Sequence, residues 1–176
     1  MGQPLYIRAR TALLIFFAAS ASCASTAPRI AEPIRAAVVL PFLDLQALDG
    51  KHRPLSDLSA GRPVLISLWA TWCEACAIEY APLNRLYERT KKEALIVAIA
   101  VGQSAQEVSR FAAQTGLRYP IFVDPDFTLA TALDSRQVPT TLIVDRTGKI
   151  VYRSGLFDGA ALAAFRELLE DPRQAD

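Results

Sequence analysis

Pro63-Val64-Leu65-Ile66-Ser67-Leu68-Trp69-Ala70-Thr71-Trp72-Cys73-Glu74-Ala75-Cys76 is the stretch that decides how this chain reads. Its first half is an almost unbroken apolar run, the pattern of a strand covered on both faces in a parallel sheet. Beyond the cysteines, Ile78, Leu83, Leu86 and Tyr87 recur at helical spacing as far as Lys91 and Lys92, whose charges suit a helix C-terminus. The cysteines therefore sit where a buried strand gives way to a helix, the edge at which open α/β sheets expose functional groups.

That position carries the chemistry. A cysteine in the first turn of a helix meets unpaired backbone N–H groups and the positive end of the dipole, and both favour thiolate over thiol. Cys73 is expected to be the nucleophile. Three positions on, Cys76 falls on the same face, near enough to close a disulfide, and is expected to resolve the mixed disulfide that Cys73 forms. Such exchange requires neither cofactor nor metal. Glu74, between the two, opposes the thiolate and offsets part of the helix-terminus effect. Two bland readings compete. A zinc site lacks ligands, because only Cys23 and His52 remain, and a structural disulfide closing so small a loop adds little stability.

Outward from the centre the pattern continues. Ala94 to Val101 is a second buried run. Ser104 with Glu107 reads as a capping box opening a helix that Gly116 closes. Tyr119 to Val123 reads as a strand and Phe127 to Leu133 as a short helix. Thr140 to Val144 and Lys149 to Arg153 flank the turn Asp145-Arg146-Thr147-Gly148 as a hairpin. Leu162, Phe165, Leu168 and Leu169 mark one face of a last helix, with Asp158 as its cap. On the N-terminal side, Val38 to Leu45 and the Asp49-Gly50 turn predict a hairpin. The order ββ-βα-βα-βα-ββ-α implies an α/β fold, a mixed sheet with helices on both faces.

Arg8 and Arg10 precede the apolar run Ala12 to Ala19, which is followed by Ser20-Ala21-Ser22-Cys23-Ala24. The run is shorter than the roughly 20 residues of a spanning helix and fits the roughly 7–15 of a signal-peptide core. Residues 1–23 therefore read as an export signal. Residues 24–37, rich in Ala and Pro, read as a tether, and residues 38–176 as the domain. Cys23 stands where a bacterial lipoprotein carries its acylated cysteine, although Ser20 departs from that signal, and cleavage after Ala21 or Ala24 is the alternative. The 19 basic and 18 acidic residues nearly cancel, so nothing favours nucleic acid as a partner.

Two stretches, Leu68 to Cys76 and Val138-Pro139-Thr140-Thr141-Leu142-Ile143-Val144-Asp145-Arg146-Thr147-Gly148-Lys149-Ile150, together resemble the TlpA/ResA-like branch of the thioredoxin family, with its AhpC/TSA–redoxin-like domain. The likeness runs from about Val38 to Leu169. It implies a thioredoxin fold with an N-terminal β-hairpin and a central inserted βα unit. It also implies a cis Pro139 facing the cysteines, and a Val138 backbone that pairs with an extended substrate segment. Glu79 matches a family glutamate placed to exchange a proton with Cys76; a solvated helix glutamate is the bland reading. Trp69 matches a core tryptophan and Trp72 one that lines the site. Three residues depart from the pattern: Ala75 replaces a proline, Pro82 falls one position late, and Ser67 takes the place of a buried aspartate.

The family is one of membrane-tethered bacterial disulfide reductases. The resemblance therefore implies a periplasmic monomer held at the outer face of the cytoplasmic membrane by a lipid or signal anchor. It would take electrons from a membrane thiol transporter and reduce extracytoplasmic proteins, apocytochromes c among them. A disulfide oxidase or isomerase, and a non-catalytic module binding peptides at the Val138-Pro139 edge, are the competing functions. Copper-carrying relatives use wider cysteine spacing and a histidine ligand.

Overall fold

The computed structural model describes residues 44–135 and 137–171. The signal and tether readings, Cys23 and the first residues of the domain lie outside these.

The chain runs β1 (Asp44–Ala47), β2 (His52–Pro54), α1 (Leu55–Ser59), β3 (Val64–Trp69), a 3-10 turn (Glu74–Cys76), α2 (Ala77–Thr90), β4 (Leu95–Val101), α3 (Ala105–Thr115), β5 (Ile121–Asp124), α4 (Thr128–Ala132), β6 (Thr140–Val144), β7 (Ile150–Ser154) and α5 (Gly159–Glu170). The strands form one sheet in the order β2-β1-β5-β4-β3-β6-β7. Its centre, β5-β4-β3, is parallel, and both flanks are antiparallel hairpins, β1 with β2 and β6 with β7. This is the mixed sheet that the element order predicts.

Each central strand feeds two cores, because successive side chains point to opposite faces. From β3, Leu65 and Trp69 join Leu83 and Leu86 of α2, Val108 of α3 and Phe165 of α5 on one face. Val64, Ile66 and Leu68 join Leu55 of α1 and Leu129 of α4 on the other. Every residue of β3 and β4 is buried, which is why both read as continuous apolar runs.

Four sequence expectations need correction. The short helix α1 is absent from the predicted order; it buries only Leu55, so it carries no periodic signal. The third parallel strand starts at Ile121 rather than Tyr119, because Pro120 has no N–H to give the ladder and contributes only its carbonyl, to Ala98 N–H at 2.9 Å. The short helix expected from Phe127 begins at Thr128, with Phe127 as its left-handed N-cap. The Ser104–Glu107 capping box is half formed: Ser104 Oγ accepts the Glu107 N–H at 3.3 Å, but the Glu107 carboxylate is engaged with Gln103.

Candidate active site

The β3 strand ends at Trp69, and the chain reverses through a turn in which Cys73 N–H donates to Ala70 O at 3.1 Å. Cys73 then caps the 3-10 turn that leads into α2, its Sγ accepting the Cys76 N–H at 3.2 Å. The helix thus begins at the cysteines as expected, with a tighter first turn. Cys73 and Cys76 are joined as a disulfide across a Cα–Cα distance of 5.3 Å. Cys73 keeps 7% of its surface and Cys76 none, so Cys73 is the less buried of the pair. A thiolate at Cys73 would receive a backbone hydrogen bond at the positive end of a helix, the two influences that lower a thiol pKa.

Trp72 is 66% exposed, beside Cys73 in the sequence, while Trp69 is buried in the core. Glu74 is exposed. Val138–Pro139 is a cis peptide bond. Strand register puts it at the site: β6 runs antiparallel to β3 with Leu68 opposite Thr140, so Pro139 falls beside Trp69, at the end of β3 from which the cysteines emerge. Thr140 Oγ1 donates to Gln137 O at 2.7 Å and closes the turn that presents Val138.

Glu79 is 1% exposed, which overturns the solvated-helix reading. One turn beyond Cys76 on α2, its Oε1 accepts the Phe157 N–H at 2.6 Å, and the Ser67 hydroxyl is its second partner. Ser67, where the family pattern has a buried aspartate, is itself buried and faces this side of the sheet between Leu65 and Trp69. Burial raises the Glu79 carboxyl above its usual 4.5, and the hydrogen bonds from Phe157 and Ser67 offset only part of that. The anion in turn helps to raise the phenol of Tyr80, which burial raises most.

Above the ordinary carboxyl range the unfolded chain has lost the Glu79 proton while the folded chain still holds it. The contribution of Glu79 to stability is therefore intact at acid pH and falls as pH rises through the folded-state value. Glu79→Gln is expected to lose stability relative to wild type at about pH 4 and to regain it progressively towards about pH 8, as read from urea midpoints. A difference that does not vary with pH would mean that Glu79 titrates as freely in the folded chain as in the unfolded one.

The sequence reading missed Gln103, which is 4% exposed and bonded to the backbone and side chain of Thr71, two residues before Cys73. The partner lies 32 residues away, so no local pattern marks it.

Residues 37–153 match the AhpC/TSA family model. The thiol–disulfide oxidoreductase ResA of Geobacillus thermodenitrificans is 31% identical over 80% of this chain and 82% of its own length. ResA of Bacillus subtilis is 35% identical over 63% of this chain, a match that spans 62% of that relative. Among solved structures, the exposed lipoprotein thioredoxin of Streptococcus pneumoniae strain TIGR4 superposes with a TM-score of 0.59 at 27% identity, covering 72% of this chain and 98% of that one. With a thioredoxin fold and a Cys-x-x-Cys disulfide at the head of a helix, the chain belongs to the AhpC/TSA family, among its ResA-like thiol–disulfide oxidoreductases.

Proposed function

We propose that the protein is an exported reductase of extracytoplasmic protein disulfides, with Cys73 attacking and Cys76 resolving. The observation that carries this reading is the asymmetry of the pair: Cys73 is the less buried residue and its sulfur accepts a helix N-terminal amide, while Cys76 is fully buried. In the forward reaction the Cys73 thiolate attacks one sulfur of a substrate disulfide. An S–S bond forms to Cys73, and the substrate's own S–S bond breaks to release one thiolate. Cys76 then gives up its proton and attacks Cys73 Sγ, expelling the second substrate thiolate and closing the disulfide of the pair. Two electrons have passed to the substrate, and a membrane dithiol donor must return them.

Glu79, held protonated to higher pH than an exposed carboxyl, is suited to exchange the Cys76 proton. The exposed Trp72 and the Val138 backbone beside cis Pro139 would hold the substrate segment as an added strand, with Glu74 on the rim. The Arg8–Ala19 signal pattern supports export. Cys23 as a lipidation site fits the lipoprotein character of the pneumococcal neighbour.

A Cys76→Ala variant expressed in the native compartment tests the reading, because it should accumulate mixed disulfides on Cys73. Trapped apocytochromes c would assign the protein to cytochrome maturation, and a broad set of proteins to general reduction. A reduction potential near −270 mV agrees with a reductase, whereas one near −120 mV would make the protein an oxidase.

A further inference from the structure

We propose that Gln103 is a positioning residue for the exchange reaction, clamping the turn that carries Trp72 and Cys73. This rests on the reading of Cys73 as the nucleophile. Gln103 stands just past the end of β4, whose Ala100 is paired with Trp69 of β3, so the two parallel strands deliver Gln103 and Thr71 to the same edge of the sheet. Its amide is used at both ends: Oε1 accepts the Thr71 N–H at 2.7 Å, and Nε2 donates to Thr71 Oγ1 at 2.5 Å and to Glu107 Oε1 at 2.6 Å. These partners fix which way the amide faces, since a carboxylate can only accept.

The mount is rigid. Gly102, which precedes Gln103, has φ +67° and donates its N–H to Asp124 O at 2.9 Å. The Phe127 ring lies so close that a Cβ on Gly102 would sit 2.2 Å from its Cζ. Glu107 gives up the reciprocal half of a capping box to hold the amide from behind. Glutamine is rich in rotamers, so freezing it under the surface costs entropy that an apolar residue would not. Two of the hydrogen bonds it makes there go to Thr71 on the turn, and the third, to Glu107 on α3, braces the amide against them.

That turn sets the sulfur. Thr71 lies inside the Ala70–Cys73 turn, and the same backbone path aims Cys73 Sγ at the Cys76 N–H. When Thr71 is free to shift, the Cys73 thiolate loses alignment with its amide donor. Its pKa should then rise and the pair should become more reducing, while the folded core below is little changed.

The test compares Gln103→Leu, Gln103→Glu and the exchange variant Gln103→Glu with Glu107→Gln. Gln103→Glu sets two carboxylates against each other, whereas the exchange variant restores a donor facing an acceptor at the net charge of the wild type. Both single variants should lower the Cys73 thiolate population about fivefold at the wild-type pKa and about tenfold well below it, as expected for losing a buried hydrogen bond on this turn. The shift is read from thiolate absorbance and from equilibration with glutathione, and the exchange variant should recover most of it. Wild-type thiol pKa and potential in both single variants, even with lowered melting temperatures, would overturn the proposal by reducing the clamp to a structural pin. So would failure of the exchange variant to recover the shift while folded. Cys73→Ser separates the two levels: retained reduction there would sink the nucleophile assignment, whatever the Gln103 variants do.

Discussion

Cys73→Ser is expected to abolish turnover of a protein disulfide, a loss on the order of 10⁴-fold or more, as when a sole nucleophile is removed. Cys76→Ser should instead complete the first step and stop at the mixed disulfide. The difference follows from burial: attack is in line with the substrate S–S bond that breaks, and Cys73 keeps some exposed surface while Cys76 keeps none. Both substitutions also remove the disulfide, whose short loop limits its entropic contribution to about 2 kcal/mol. The two variants should accordingly melt alike under oxidising conditions and differ only in chemistry. Rapid quench and gel separation of mixed disulfides would decide the matter. A Cys76→Ser enzyme that forms no adduct, or a Cys73→Ser enzyme that forms one through Cys76, would reverse the assignment.

What could be read from the sequence is what local pattern and burial fix together. β3 and β4 were legible because both faces of each are covered, so the apolar run has no gaps. Cys73 and Cys76 were legible because a strand-to-helix junction is a local event. So was the Asp158 cap, whose Oδ1 accepts the Ala160 and Ala161 N–H groups. The β5 boundary was lost to a single proline, and α1 to brevity. Glu79 was legible as a spacing, not as a buried group: its burial depends on Phe157, 78 residues further on, folding back over α2. The Gln103 clamp was illegible for the same reason. Its half of the bond and Thr71's become neighbours only when parallel strands pair, and glutamine in a loop after a strand carries no signal of its own.

Trp69 ties the site to the core, and Trp69→Ala is a substitution expected to cost much stability. The ring is buried at the end of β3 and meets Tyr80 of α2 edge-on at 5.7 Å and Phe111 of α3 at 5.6 Å. Tyr80 and Phe111 also meet each other at 6.0 Å, so three aromatics tie the strand to the two helices that follow it. Removing the largest of them should cost about 3–5 kcal/mol. That is about a fifth or more of the total stability of an ordinary domain of about 5–15 kcal/mol. Trp69→Phe is the control. It keeps an aromatic ring between Tyr80 and Phe111 and removes an indole Nε1 that is buried without a hydrogen-bond partner among the described residues, so it should cost less than half as much. Because Cys73 and Cys76 lie in the same cluster, Trp69→Ala should also slow disulfide exchange at temperatures where the variant is fully folded. Two hydrogen-bonded ties also hold α2: Glu79 accepts the Phe157 N–H, and Asn84 accepts the Arg118 N–H and donates to Gly116 O. If denaturant midpoints put the Trp69→Ala loss below about 1.5 kcal/mol, less than a typical buried large-to-small change, those hydrogen-bonded ties rather than the aromatic cluster would be what fixes the active-site helix.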